Sequence, residues 1–419
     1  MTEPTAAWQL PDGVDELLPD NAWRVDQLRR QFTDCCRHSG YELVMPPLIE
    51  YIDGLLTGTG EATTLQTFKV VDQQSGRTLG VRADMTPQVA RLDAHALRTD
   101  GPNRLFYTGT VLRARTDGFG GSRTPQQFGA ELFGHASVAA DVEVIRLMLD
   151  TASLAGLDAN ELVLDLGHVG VYQGLCNAAE LAKDEQVRLF TAMQRGSLPD
   201  TQDALAVANC APGLINAFMA LLSLRGGVDV VAQAKTMLLA ADVLQDMSEG
   251  ASDAIARALQ TLSDVVTALQ RSHPGVRFVV DMAELRGYRY HTGMLFAAYT
   301  KSGDVIARGG RYDAIGKAFG RDRPATGFSG DLTQLAQLAA AADGATVADA
   351  QQDGVFVPCV DGLSAAAETE LWIQVQTLRQ AGRRVVLALP GEASSAETYH
   401  CTHQLTQRKN QWCVESITS

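Results

Sequence analysis

The segment 103–134 concentrates side chains that could bind a small charged molecule. Residues 105–115 and 126–133 have the composition of two strands, and the link 116–123 between them is rich in turn residues. Since successive side chains of a strand point to opposite faces, Arg113 and Arg115 should share one face, and Gln127 and Glu131 should share another. Paired in a hairpin, these faces would set arginines, an amide and a carboxylate over one concave surface.

This array suits a zwitterion. Glu131 would accept a hydrogen bond from an ammonium or imidazole group, and Arg113 would hold a carboxylate through two N–H groups. The same spacing also fits a solvated strand face with salt bridges, and it does not decide between the two.

Periodic patterns on both sides of the hairpin predict the elements that position it. After Asp20, apolar residues recur at helical spacing through residues 25–36, Gly40 ends the helix, and residues 41–45 read as a short strand before two prolines. A second helix follows the hairpin, with one apolar face formed by Val142, Ile145, Leu149 and Ala152. Residues 162–166 read as a strand.

The composition then changes several times along the chain. We expect a first core part over 1–169, an inserted helical region over 170–273 and a second core part over 274–336, beginning with a strand at 276–280. The Ala-rich stretch 337–352 reads as a linker. A small α/β domain over 353–419 should have strands at 355–357, 385–389 and 412–414, with helices at 365–380 and 394–407.

Length and charge narrow the class of protein. The chain has 419 residues, enough for two or three domains, and its 46% hydrophobic and 20% charged residues are typical of a globular protein. A net charge of −14 without a Lys/Arg-rich run argues against nucleic-acid binding. No apolar run could span a membrane and no secretory signal is visible, so we expect a cytoplasmic protein with seven reduced cysteines and no metal site.

Several separate motifs, in order, resemble those of histidyl-tRNA synthetases, which are class II aminoacyl-tRNA synthetases. The hairpin resembles the second motif, and residues 81–86 resemble the segment that binds the α-amino group of histidine. Residues 284–293 and 308–313 resemble the two histidine-specific signatures, and the whole resemblance covers about residues 10–335. It implies an α+β fold: an antiparallel sheet flanked by helices, with an inserted helical region, a small C-terminal α/β domain and a self-dimer formed through the core.

The resemblance also implies a site for a histidine-like ligand. The matching residues are Asp84, Thr86, Arg113, Gln127, Glu131, Arg286, Tyr290, His291 and Tyr312.

Departures from the family pattern fall mainly in the half of the site that would hold ATP. Gln334 stands where the family has the arginine that grips the γ-phosphate, and Thr333 replaces the acidic residue before it. Arg115 stands in place of a glutamate that helps seat adenine, Arg289 in place of an aspartate, and His291 in place of a tyrosine. A neutral amide cannot replace a charged guanidinium against a triphosphate, so adenylation is not expected.

Residues 165–170 and 286–293 resemble in particular the regulatory subunits of short-form ATP phosphoribosyltransferase, catalytically idle paralogues of the synthetases. This resemblance implies a subunit that binds and activates a short catalytic subunit in the first step of histidine biosynthesis and makes it sensitive to histidine. It implies no catalytic residue and no cofactor in this chain. Whether histidine binds here or on the partner stays open. The alternatives are an active histidyl-tRNA ligase with an altered ATP site, and a stand-alone histidine-binding or tRNA-sensing module.

Overall fold

The computed structural model describes residues 9–58, 60–116, 121–288, 290–343, 354–360, 363–391, 395–408 and 411–417. As far as it is described, the chain forms two compact units. The larger comprises Met1–Glu16 and Val25–Ala339, and the smaller comprises Leu17–Arg24 and Ala340–Ser419. The division of the larger unit into core parts 1–169 and 274–336 around a helical region, and the limits 353–419 of the small domain, remain our proposal.

The larger unit is built on a nine-stranded sheet with the order β1-β5-β6-β12-β11-β10-β7-β9-β8. Neighbouring strands are antiparallel except for the pairs β1–β5 and β7–β9, which are parallel. A separate small sheet has the order β2-β4-β3. The strands are β1 (Glu42–Leu43), β2 (Ile49–Tyr51), β3 (Phe68–Val71), β4 (Thr78–Val81), β5 (Asn103–Thr110), β6 (Gln126–Phe133), β7 (Leu162–His168), β8 (Arg225–Gly226), β9 (Arg277–Asp281), β10 (Met294–Thr300), β11 (Val305–Arg311) and β12 (Ala325–Asp331).

Helices flank this sheet and bury their apolar faces, as their periodicity predicts. Helix α1 (Pro19–His38) buries Val25, Leu28, Phe32 and Cys36, and the Phe32 ring meets the edge of Phe128 with ring centroids 5.0 Å apart. Helix α5 (Val138–Leu154) buries the predicted apolar face, and its N-cap Ser137 accepts a hydrogen bond from the Ala139 N–H. The helices of the core are α1, α2 (Ile52–Leu55), α3 (Glu61–Gln66), α4 (Thr86–Arg91, continued by a π-helical turn Leu92–Leu97), α5 (Val138–Leu154), α13 (Ile315–Ala318) and α14 (Leu332–Asp343).

Between β7 and β9 the chain is almost entirely helical, as the sequence predicts. These helices are α6 (Val169–Ala178), α7 (Lys183–Gln194), α8 (Leu198–Val207), α9 (Pro212–Ser223), α10 (Val230–Leu238), α11 (Ala241–Leu244) and α12 (Glu249–Ser272). The short strand β8 within this region pairs with β9 and ends the main sheet. Among the described helices, none has both the length and the apolar composition that a bilayer span requires.

The predicted strand over 105–115 is too long. Strand β5 ends at Thr110, because Val111 faces Pro125, which has no N–H to continue the ladder. The N–H groups of Leu112 and Ala114 donate outside the hairpin, to the carbonyls of Arg82 and Gln66, while the Arg113 N–H still donates to the Arg123 carbonyl. The common strand face predicted for Arg113 and Arg115 is therefore wrong. Four residues of the adjoining turn, 117–120, lie outside the described part of the chain.

The smaller unit has a four-stranded sheet with the order β14-β13-β15-β16 and a long helix. Its elements are β13 (Gly354–Val357), α15 (Ala365–Gln380), β14 (Val385–Leu387), β15 (Cys401–Arg408) and β16 (Gln411–Ser416). The predicted helix over 394–407 is wrong, because residues from Cys401 onward form a strand that pairs with both β13 and β16. The predicted linker 337–352 is in part the end of α14, and residues 344–352 are not described.

Candidate functional site

A cavity of about 330 Å³ opens on one face of the main sheet. Its floor comes from β6, β12, β11, β10 and β7, and its walls from residues 84–86 and from the segment that precedes β10. The polar and charged lining residues are Asp84, Thr86, Glu131, Asp165, Glu284, Arg286, Tyr290, His291, Arg308, Tyr312 and Ser329. The volume lies at the small end of ligand pockets, which run from about 300 to 1,000 Å³.

Glycines in the floor keep this space open. Across three neighbouring strands, Glu131 of β6 pairs with Gly327 of β12, which pairs with Gly310 of β11. A Cβ on Gly327 would lie 1.5 Å from Glu131 Oε2, and one on Gly310 would lie 2.5 Å from Cδ2 of His291. Since neither position can accept a side chain without displacing the site, both glycines are needed for the cavity.

Glu131 is fully buried and is held by two tyrosines. The Tyr107 hydroxyl donates to its Oε1 over 2.9 Å, and the Tyr312 hydroxyl donates to its Oε2. Burial raises the pKa of Glu131 to about 8, although both tyrosine hydrogen bonds favour the carboxylate. At neutral pH the residue is thus mostly protonated, and a cationic or N–H-bearing ligand would favour its ionised form.

Asp84 presents a second carboxylate, oriented by its neighbours. Its Oδ1 accepts from Gln127 Nε2 over 2.7 Å and from the Thr86 N–H over 3.0 Å. Gln127 is in turn fixed by the Met85 N–H, which donates to its Oε1 over 2.9 Å. Gln127 therefore lies behind Asp84, where it positions the carboxylate for a ligand and does not itself line the cavity.

Two tyrosine rings and an imidazole also line the cavity. The Tyr290 ring stacks on Tyr312 with centroids 5.3 Å apart, and the buried Tyr290 hydroxyl makes no hydrogen bond to the described residues. Burial lowers the pKa of His291 to about 4, so its imidazole is neutral. Because His291 Nδ1 lies 3.1 Å from the Gly287 carbonyl oxygen, which can only accept, the proton is on Nδ1 and Nε2 is left as an acceptor.

The outer part of the cavity carries a mixture of charges. Arg286 is paired with Glu284 through its Nε and Nη2 atoms, with Nε 2.9 Å from each Glu284 oxygen. Asp165 of β7 is buried, and burial together with the nearby Asp281 and Glu284 raises its pKa to about 6. Its Oδ2 lies 3.7 Å from Nη2 of Arg225 on β8.

Most of the predicted ligand residues meet in this one cavity. Those that line it are Asp84, Thr86, Glu131, Arg286, Tyr290, His291 and Tyr312. Arg113 is not among the lining residues, since it follows the end of β5 and forms an isolated bridge with Thr67. The ligand roles of all these residues, Arg113 and Gln127 included, stay predictions.

Sequence reasoning missed three charged lining residues, Asp165, Glu284 and Arg308. Each is the first residue of a segment that resembles the family, 165–170, 284–293 or 308–313, and two of them carry a further signal. Asp165 is a carboxylate inside the apolar run 162–166, and Arg308 has the same strand parity as Gly310.

The half of the site expected to hold ATP lacks a cation at the predicted position. Gln334 is half-buried on α14 and does not line the cavity. Just before it, the Asp331 carboxylate accepts from the N–H groups of Thr333 and Gln126, over 2.9 and 3.1 Å. Arg115 is exposed, and Arg289 lies outside the described residues.

The chain is similar in sequence to known proteins over almost its whole length. The sequence model of the histidyl-tRNA synthetase family matches residues 13–335, and that of the ATP phosphoribosyltransferase subunit HisZ C-terminal domain matches residues 352–415. The chain is 46% identical over 412 residues to an ATP phosphoribosyltransferase regulatory subunit from Thioalkalivibrio sulfidiphilus, covering 98% of each protein. It is 44% identical over 413 residues to a regulatory subunit of the same name from Chromohalobacter salexigens, again covering 98% of each.

Two solved structures share the fold. One is described as an ATP phosphoribosyltransferase regulatory subunit/histidyl-tRNA synthetase from Bacillus halodurans, with a TM-score of 0.76, 26% identity and coverage of 96% of this chain and 98% of that one. The other is the histidyl-tRNA synthetase of Nostoc sp. PCC 7120, with a TM-score of 0.76 and 18% identity over 96% of this chain and 92% of that one. The second likeness shows the fold alone.

Proposed function

The chain belongs to the family of ATP phosphoribosyltransferase regulatory subunits, which are related to histidyl-tRNA synthetases. We propose that it regulates an ATP phosphoribosyltransferase and has no catalytic activity of its own. Its partner in this proposal is a short-form catalytic subunit, which it binds and activates in the first step of histidine biosynthesis. The complex then becomes sensitive to feedback inhibition by histidine.

The similarity of the C-terminal segment carries this proposal over the alternative of an active histidyl-tRNA ligase. Residues 352–415 match the C-terminal domain of ATP phosphoribosyltransferase subunits, and full-length relatives with that name cover 98% of the chain. The described part of the smaller unit is compact, with one helix packed on a four-stranded sheet.

The state of the site supports a non-catalytic role. Gln334 stands at the position expected to grip the triphosphate, and a hydrogen bond to a charged group contributes about 1.5–3 kcal/mol to binding. If the missing arginine–phosphate contact normally strengthens in the transition state, its loss would also slow the chemical step. The ligand end is different, since hydrogen bonds connect Tyr312, Glu131 and Tyr107, and Thr86 links Tyr107 to Asp84.

We propose histidine as the ligand of the cavity. The acceptors Glu131, Asp84 and His291 Nε2 face it together with the Tyr290 hydroxyl, and they suit a molecule that presents several N–H groups. The volume of about 330 Å³ is large enough for a free amino acid. Histidine can change the activity of the complex only if it binds active and inactive arrangements with different affinity.

We also propose that two copies of the chain associate through the small sheet of the core and the chain segment 42–48 just before it. Large apolar side chains there are exposed, among them Met45 at 79%, Val71 at 64% and Ile49 at 52%. Apolar residues clustered on a surface in this way are typical of a protein–protein interface.

Reconstitution tests the proposed function. A short catalytic subunit, purified alone, would be assayed for phosphoribosyl transfer to ATP with and without this chain, and then with added histidine. We expect the chain to raise the rate and histidine to lower it, while the chain alone shows no histidine-dependent ATP–pyrophosphate exchange. An unchanged rate in every mixture, or rapid exchange by the chain alone, would overturn the proposal.

A further inference from the structure

Arg308 lies on the floor of the cavity, and its side chain is not used to hold the fold together among the described residues. It is on β11, in the row that runs from Ser329 of β12 through Arg308 to Ala297 of β10 and Asp165 of β7. Side chains in one such row point to the same face of a sheet, and these four residues all line the cavity. Between Arg308 and Asp165, Ala297 contributes only a methyl group to this row.

The charges around the cavity leave Arg308 uncompensated. Arg286 is neutralised by Glu284 through a two-point ion pair. Among the described residues, none forms a hydrogen bond or an ion pair with the Arg308 side chain. The charge of Arg308 acts on Glu284 only at longer range than the Arg286–Glu284 ion pair. Arg308 is also exposed and lines the cavity, so a ligand can reach its side chain.

A carboxylate that lines the cavity is left without a cationic partner as well. The Asp84 carboxylate uses Oδ1 for Gln127 and Thr86, and no cationic side chain pairs with it among the described residues. The cavity is thus lined by a carboxylate without a cationic partner, Asp84, and by a guanidinium without an anionic partner, Arg308. This pattern complements a molecule that carries both an ammonium and a carboxylate, such as a free α-amino acid.

We propose that Arg308 binds the carboxylate of the ligand and thereby restricts the cavity to free amino acids. The inference rests on the proposed function, because it takes the cavity to be a histidine site. It adds that derivatives of the ligand without a carboxylate are discriminated against at this residue. Arginine suits the task because its planar guanidinium can donate two parallel hydrogen bonds to a carboxylate.

Calorimetry with two ligands tests the proposal on the full-length chain, alone and with its catalytic partner. L-Histidine and L-histidinol both carry the amine and the imidazole, but in histidinol a hydroxymethyl group replaces the carboxylate. We expect the wild-type protein to bind histidine about tenfold or more tightly than histidinol, as befits a charge-assisted contact. In Arg308→Met the preference should fall to about one, with histidinol affinity unchanged within about twofold.

Arg277→Met is the matched control, since Arg277 is an exposed arginine on β9 that does not line the cavity. It should keep the preference of the wild-type protein. An Arg308→Met protein that still prefers histidine, or that loses both ligands equally, would overturn the role of Arg308 and leave the histidine site standing. Equal binding of the two ligands by the wild-type chain would do the same. No binding of either ligand by the wild-type chain would instead overturn the histidine site itself.

Discussion

Glu131 is the residue on which the proposed ligand site depends most. It is completely buried, yet it faces the cavity, and two tyrosine hydroxyls hold its oxygens in place. Its raised pKa means that folding disfavours the ionised form until a ligand supplies a donor or a positive charge. The residue thus links occupancy of the cavity to pH and to the stability of the fold.

Without ligand, Glu131 should make the protein less stable as pH rises. Its pKa is raised from 4.5 to about 8, so between these values the unfolded chain loses the proton while the folded chain keeps it. The free energy of unfolding should then fall by up to about 1.4 kcal/mol per pH unit, and this slope should end above about pH 8. Urea unfolding followed by circular dichroism at pH 5–9 measures it.

The substitution Glu131→Gln should remove that part of the pH dependence. Glu42→Gln, at an exposed position of β1, serves as the control and should retain the wild-type slope. If the free energy of unfolding changed with pH in the same way for the wild-type and Glu131→Gln proteins, the pKa of Glu131 would be the same in the folded and unfolded states.

If the cavity binds histidine, any side chain at position 327 should weaken that binding. A Cβ there would overlap Glu131 Oε2 at 1.5 Å, so Gly327→Ala must displace the carboxylate. Forcing an extra methyl group into a packed site costs about 1–3 kcal/mol, and we expect at least a tenfold loss of histidine affinity by calorimetry. Gly250→Ala, in helix α12 with no atom within 4 Å of the added Cβ, should bind as the wild-type protein does. Equal affinities of the two variants would argue that the ligand lies elsewhere.

At the scale of elements, the exposed small sheet predicts how the chain associates. Ile49→Asp puts a charge into the proposed apolar interface on β2, and it should convert a dimer into a monomer in sedimentation velocity. Leu198→Asp is the control, because Leu198 is 53% exposed at the start of α8, outside the small sheet. Identical sedimentation of both variants and the wild-type protein would remove this surface as the interface.

The elements that could be predicted are those whose buried faces appear in the sequence as a periodic pattern of apolar residues. Helices α1 and α5 and strands β6 and β7 have apolar periodicity, because each buries one face or both against the same core. Strand β15 could not be predicted, since its Gln, Leu and Arg residues favour a helix locally. Its conformation is decided by pairing with β13 and β16, which is not visible in the local sequence.

The site could be predicted only in part, for a similar reason. Motif resemblance picked out Glu131 and Tyr312, although they are 181 residues apart in the chain. The participation of Arg308 and Asp165 depends on the registers of β11, β10 and β7, which strand alternation alone does not determine. The end of β5 at Thr110 likewise depends on Pro125 across the hairpin, and it moves Arg113 away from the predicted strand face.

At the scale of the whole molecule, the chain combines a synthetase-like body with a C-terminal unit of a different family. The body matches the histidyl-tRNA synthetase family over residues 13–335, while residues 352–415 match a domain of ATP phosphoribosyltransferase subunits. In the proposed function, the body supplies an amino-acid site without an intact grip for ATP, and the reaction takes place on the catalytic partner. Histidine in the cavity would then act by shifting the complex toward a less active arrangement.

Histidine inhibition of the reconstituted complex tests this account most directly. Initial rates of phosphoribosyl transfer would be measured against histidine concentration with the wild-type chain and with Glu131→Gln, each saturating the same catalytic subunit. We predict that the variant still activates the partner but needs about tenfold or more histidine for half-inhibition, because a hydrogen bond to a charged group is lost. Full activation with an unchanged half-inhibiting concentration would contradict the account and place the histidine sensor outside this cavity.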